Sequence, residues 1–146
     1  FMHAFELDHN NIDAIARLYE LGAQGIEQQA FIDALESSMK ESPLPVLAVR
    51  LLADTHLVRG NTAQATMYYE KLLDLEALGS DPAILNNLAN IYAASDLDKA
   101  LATARRALDA EGAEQSSALL DTTGWILARK GDNEQALSYL RKAYVK

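Results

Sequence analysis

The chain predicts an all-α fold: a right-handed superhelical solenoid of antiparallel helix hairpins. Three observations carry this expectation. Four alanines, Ala30, Ala65, Ala100 and Ala136, recur at intervals of 35, 35 and 36 residues, a period that marks stacked helical units. Apolar residues recur at three- and four-residue spacing almost throughout, with no alternating strand of useful length. Short breaks divide the chain at Gly22–Gly25, Ser42–Pro45, Gly60–Asn61, Gly79–Pro82, Ser95–Asp96, Glu111–Ala113 and Gly131–Asn133. Turns this short force neighbouring helices into antiparallel pairs.

Taken in order, the pattern predicts helices over 1–8, 12–23, 26–40, 45–59, 62–76, 82–94, 97–110, 115–130 and 133–145. The first, FMHAFELDHNN over Phe1–Asn11, has the character of a helix end and its exit turn. It predicts that the chain is a piece of a longer array. Asp81 before Pro82 is a helix start: the carboxylate caps free N–H groups, and proline suits the first turn. Gly60-Asn61 and Gly131-Asp132-Asn133 are tight turns in which glycine takes the left-handed conformation cheaply.

Within the pairs a finer pattern repeats. In the last, Leu120, Thr123-Gly124 and Leu127 precede Ala136 and Leu140, with Ala143 after. In the third, Leu85, Leu88-Ala89 and Tyr92 precede Ala100, Ala104 and Ala107. In the second, Val49, Leu52-Ala53 and His56 precede Ala65 and Tyr69. In the first, Ile15, Leu18 and Tyr19 precede Ala30 and Ala34. This pattern resembles the tetratricopeptide repeat over essentially the whole chain. The resemblance implies one array: 1–10 the end of a preceding repeat, then repeats over 11–43, 44–81, 82–112 and 113–146. The four periodic alanines, Ala30, Ala65, Ala100 and Ala136, are expected as the contact points that close each helix pair, with Gly124, Ala53 and Ala89 opposite the last three where the partner helix passes close. Leu52, Leu88, Leu120 and Tyr92 are expected between units. Tyr19 stands where a small residue is usual, the Ala94–Leu97 turn is one residue short, and the exit over Leu75–Pro82 is long.

A narrower resemblance concerns LNNLANIY (Leu85–Tyr92) and LLDTTGWILARKGDNEQALSYLRKA (Leu119–Ala143). These runs resemble the closing repeats of tetratricopeptide lipoproteins of bacterial exosortase (PEP-CTERM) systems. That likeness implies a bacterial protein linked to extracytoplasmic sorting or exopolysaccharide, in the cell envelope; the general repeat resemblance fits the cytoplasm equally.

Composition bounds the function. The 146 residues are 49% hydrophobic and 23% charged, as expected of a folded chain. Net charge is −8, and neither half is basic, which argues against nucleic acid as a partner. No apolar run approaches the ~20 residues of a membrane span. There are no cysteines, which excludes disulfides and thiolate metal sites.

Little points to chemistry. His3, His9 and His56 fall on different units without metal-ligand spacing. His56 is expected as a packed helical histidine. Asp96-x-Asp98 lacks the rest of a calcium loop and reads as a cap with an acidic first turn. No phosphate-binding loop occurs, and Ser37-Ser38 and Ser116-Ser117 belong to no recognisable triad. The expectation is a non-enzymatic scaffold without cofactor or metal, binding a protein or peptide.

The repeat resemblance implies that the first helix of each pair lines a concave groove. By helical spacing the inward residues are Ala16 and Glu20, Arg50 and Asp54, Asn86 and Asn90, and Asp121 and Trp125. Asparagine amides can hydrogen-bond a peptide backbone, Arg50 can pair with a carboxylate, and Trp125 supplies a rigid anchor. The expected peptide-binding set is therefore Arg50, Asp54, Asn86, Asn90, Asp121 and Trp125. Arg50 is the one cation at these positions, and Asp54 and Asp121 would repel an acidic tail. Binding to acidic chaperone C-termini is not expected. The alternative is a structural spacer, or a module that self-associates through apolar ends carrying Phe1, Phe5, Tyr139 and Tyr144.

Overall fold

The computed structural model describes residues 2–8, 11–23, 28–38, 40, 45–110, 112–113 and 115–145. Their regular elements are helical: α1 (Met2–Leu7), α2 (Ile12–Ala23), α3 (Gln28–Ser38), α4 (Val46–Val58), α5 (Thr62–Leu73), α6 (Pro82–Tyr92), α7 (Leu97–Leu108), α8 (Ser117–Lys130) and α9 (Asn133–Tyr144). A single 3-10 turn, Glu76–Leu78, occupies the long exit after α5. The expected breaks at residues 24–25 and 42–44 lie outside the described residues. The chain divides into two compact units, Phe1–Leu72 and Leu73–Lys146.

In the first unit α1 packs on α2 and α3, α2 on α3, and α3 on α4. Ala48, Val49, Leu52, Ala53 and His56 form the buried face of α4, and Ala65, Tyr68, Tyr69 and Leu72 that of α5. Gly60, at φ 77°, turns the chain between these two helices. There the Asn61 N–H donates to the His56 carbonyl (2.9 Å) and the Gly60 N–H to the Leu57 carbonyl (3.0 Å). This double closure satisfies carbonyls that a helix end leaves orphaned.

One expectation fails here. Ala65, Ala100 and Ala136 are buried, but Ala30 is exposed and Ala34 only half-buried. The face of α3 that faces inward carries Phe31, Ile32 and Leu35. It packs against a face of α2 made of Ala14, Ile15 and Leu18, while Tyr19 stands 45% exposed. A helix turns about 100° per residue, so burying Phe31 and Ile32 carries Ala30 outward. Two large apolar side chains remove far more surface from water than one alanine, and that difference sets the register.

In the second unit α6 pairs with α7 and α8 with α9, while α8 also contacts α7 and α6. Asp81 starts α6, its Oδ1 accepting from the N–H groups of Ala83 and Ile84 (both 3.0 Å), with Pro82 in the first turn. Asp96 and Asp132 cap α7 and α9 in the same way, through Lys99 and Gln135. Ala89, Ala100, Ala104, Leu101, Ile126, Leu127 and Ala136 form one buried cluster, edged by Tyr92, Leu97 and Tyr139. Leu85, Ala107, Ala113 and Leu119 form another. Of the expected close approaches, the one at Gly124 is explicit, since a Cβ added there would meet Leu140; Ala89, and Ala53 in the first unit, are fully buried. Leu52, Leu88 and Leu120 are buried, and Tyr92 is half-buried with the Lys99 ammonium 3.8 Å from its ring centroid.

Candidate binding surface

The expected contact residues divide between the units, and each unit is considered by itself. In the first, Ala16 and Glu20 are exposed on α2, where Glu20 accepts from the Arg17 guanidinium at 2.5 Å. Arg50 and Asp54 are half-buried on α4. The Asp54 carboxylate accepts from the Tyr69 hydroxyl of α5, which ties it into its own helix pair.

His56 occupies the inner face of α4, as expected of a packed histidine, and is 6% exposed. Its ring stacks on Tyr68 at 5.6 Å between centroids. The Tyr68 hydroxyl donates to Glu36 of α3 at 3.3 Å, and the Glu36 carboxylate lies 3.9 Å from His56 Nε2. Burial lowers the His56 pKa below its usual value; the Glu36 carboxylate opposes that shift and Arg59 adds to it. Burial and Glu36 together raise the Tyr68 pKa.

In the second unit α6, which carries Asn86 and Asn90, lies in contact with α8, which carries Asp121 and Trp125. Asn90 is exposed, and its Nδ2 donates to the Asn86 carbonyl at 3.0 Å. Asn86 is half-buried, and its Oδ1 is shut off from solvent without a hydrogen-bond partner. Asp121 accepts from the Tyr144 hydroxyl at 3.0 Å, a bond that raises the Tyr144 pKa. Trp125 is 46% exposed, so its indole is a surface feature rather than core.

Two features were not anticipated from the sequence. Arg129 holds its guanidinium 4.9 Å from the Trp125 ring centroid and donates to the Ala93 carbonyl at 2.6 Å. It closes the C-terminus of α6 and stacks on the indole at once. The four-residue spacing of Trp125 and Arg129 was the signal available for it. The second is a cavity of about 410 Å³ lined by Pro82, Ala83, Asn86 and Asn87 of α6, and by Gly112, Ala113, Ser116, Ala118 and Leu119. Nothing in the repeat spacing marks it, because the segment joining α7 to α8 builds one wall.

Among the described residues no group of three or more His, Asp or Glu converges as a metal site, and no helix is long and apolar enough to cross a membrane. No protein-family model and no curated protein matches the chain. Solved structures do. One described as the crystal structure of MamA protein superposes with a TM-score of 0.73 at 17% identity, over 95% of this chain and 74% of that one. A second crystal structure of MamA gives 0.67 at 19% identity, over 97% and 81%. Identities this low speak to the fold alone: the chain has an all-helical repeat fold of the tetratricopeptide-like kind that MamA has.

Proposed function

We propose that the chain is a non-enzymatic interaction scaffold that holds a protein segment along the first helices of its pairs. The observation that carries this reading is the exposed Trp125, held under Arg129 on a helix that also contacts the asparagine-bearing α6. A half-exposed indole fixed by a neighbouring cation is a rigid anchor that loses little entropy on binding. The tetratricopeptide-like fold supports a protein partner, since a stack of hairpins presents extended surface rather than a closed reaction centre. Arg50, Asp54, Asn86, Asn90, Asp121 and Trp125 remain the proposed contact set.

The test uses the chain as bait to isolate a partner, then measures that partner's affinity for the wild type, for Asn86→Ala/Asn90→Ala and for Trp125→Ala. The expected result is weakened binding with unchanged helical circular dichroism. Unchanged affinity for both variants overturns the reading. The runs Leu85–Tyr92 and Leu119–Ala143 support a finer proposal, that the scaffold serves a bacterial exosortase or exopolysaccharide system.

A second reading, self-association, is favoured by apolar exposure on and just after α9: Leu137 at 49%, and Tyr144 and Val145 each at 77%. Tyr139 contributes less, being half-buried with the Lys142 ammonium 5.7 Å from its ring centroid. Phe1 and the side chain of Phe5 lie outside the described residues. Light scattering over a concentration series decides it: a mass that does not rise with concentration overturns self-association.

A further inference from the structure

The last hairpin, α8 and α9, has two flanks of different character. On one, Gln135 of α9 accepts from the Arg105 guanidinium of α7 at 3.4 Å, and the Lys142 ammonium lies 5.7 Å from the Tyr139 ring centroid. That flank is polar and turned towards α7. Leu137 and Tyr144 stand about 200° and 180° around α9 from Gln135, and both are exposed. The Tyr144 hydroxyl donates to Asp121 of α8 at 3.0 Å, so its ring is held across the seam of the hairpin. The two helices run antiparallel, with Gly124 against Leu140. Ala128, seven residues after Asp121, therefore falls opposite Leu137, seven before Tyr144, and it too is exposed.

Two exposed charges share this flank of α9: Glu134, about one turn before Leu137, and Arg141, about one turn after it. The four side chains span about 80° of the helix circumference. Neither charge has an opposite charge at neighbouring spacing on its own helix. Glu134 is followed there by Leu137 and Ser138; Arg141 is preceded by the same two and followed by Tyr144 and Val145.

The order anion, leucine, cation is its own complement when met in reverse. An antiparallel pair of α9 helices, about a two-fold axis at Leu137, sets leucine against leucine and each Glu134 against the second copy's Arg141. A parallel pair would set glutamate against glutamate and arginine against arginine. An antiparallel pair shifted so that Leu137 meets Tyr144 would bring the two arginines together at the axis. Like charges in contact are disfavoured, so charge selects both the direction and the register of pairing. Tyr144, already fixed by Asp121, adds apolar area at the edge with little entropy left to lose.

We propose that this flank of α9 is an isologous interface that takes a second copy of the chain, antiparallel and in register about Leu137. A two-fold contact of this kind closes at two copies, whereas head-to-tail stacking of array ends does not close. The proposal rests on the self-association reading and names its surface, its stoichiometry and the residues that set its register.

The experiment follows mass by sedimentation equilibrium over a concentration series. It compares the wild-type chain with Leu137→Glu, Glu134→Arg, Arg141→Glu and the double variant Glu134→Arg/Arg141→Glu. All three positions are exposed, and far-UV circular dichroism checks that helicity is retained. The wild-type mass is expected to rise to twice the monomer's and level there. Each single reversal enters the interface twice and turns both opposite-charge contacts into like-charge ones. It is expected to weaken dimerisation at least about tenfold. Leu137→Glu is expected to leave a monomer at the same concentrations. The double variant restores complementarity with the signs exchanged, and dimerisation is expected to return to within about threefold of the wild type. A double variant as weak as the single ones overturns the proposal. A mass that climbs past two copies without levelling is head-to-tail growth, which overturns this interface and leaves self-association standing. A rise to two copies that ignores all four variants has the same consequence. A mass that never rises overturns this interface and the self-association reading together; a partner captured by the chain and lost to Leu137→Glu then claims the flank.

Discussion

Gly124 of α8 lies so close to Leu140 of α9 that a Cβ at position 124 would stand 2.7 Å from Leu140 Cγ and 2.9 Å from Cδ2. The Ala136 carbonyl, one turn earlier on α9, stands 3.2 Å from the same point. Helix separation in this hairpin is therefore set by one missing methyl group. Gly124→Ala is expected to destabilise the second unit by about 1–3 kcal/mol, the usual cost of overpacking, despite alanine's better helix propensity. Urea denaturation measures it. Adding Leu140→Ala should make the pair of substitutions less costly than the sum of the two alone, because the second removes the clash of the first. Strict additivity would show that the contact does not set the separation.

Gly131 offers the opposite case. A Cβ there meets nothing within 4 Å, but φ is 86°, in the left-handed region. Gly131→Ala is expected to cost about 1–2 kcal/mol from backbone conformation alone. Gly131→Asn should cost less, since asparagine tolerates that region. Denaturation midpoints in the order Gly, Asn, Ala test this; equal midpoints for Asn and Ala would refute it.

Protonation of His56 should oppose folding. Its pKa is lowered in the folded chain, chiefly by burial. The unfolded chain, with a pKa near the ordinary 6.5, then binds protons more readily. Stability is fully present above that value and falls as the pH drops through it towards the lowered folded pKa. The groups that face the ring are Glu36 of α3 and Tyr68 of α5, with Arg59 just beyond α4. His56→Gln should flatten thermal stability between about pH 7 and pH 5 relative to the wild type. A wild-type slope that survives this substitution assigns the effect elsewhere.

Trp125 is the chain's single tryptophan, so its fluorescence reports on one site. Arg129→Ala removes both the stacked cation and the donor to the Ala93 carbonyl. The expected loss is about 1–2 kcal/mol, combining a surface cation–π contact and one hydrogen bond. Emission should shift to the red as the indole gains water. Arg129→Lys should recover part of the stability at most, because an ammonium cannot present guanidinium's flat, many-donor face. An unchanged emission spectrum in Arg129→Ala would mean that the guanidinium does not cover the ring.

The sequence by itself determined the helices and most of their faces. Spacing of apolar residues reports helix periodicity directly, and Asp81, Asp96 and Asp132 mark starts because a carboxylate before a helix has one strong local use. Three of the four periodic alanines, Ala65, Ala100 and Ala136, are buried, as their place in that periodicity requires. Ala30 breaks the pattern because a period fixes spacing and not rotation, and the larger Phe31 and Ile32 occupy the interior of the first pair. Tertiary structure alone decided the long-range partners of polar side chains. Asp54 reaches Tyr69, Asp121 reaches Tyr144 and Arg129 reaches Ala93, pairings between residues 15 to 36 positions apart that no local pattern encodes. The cavity beside Asn86 belongs to the same class. It is shaped by two helices and the segment leading into the second, and a void has no residue of its own to leave in a sequence.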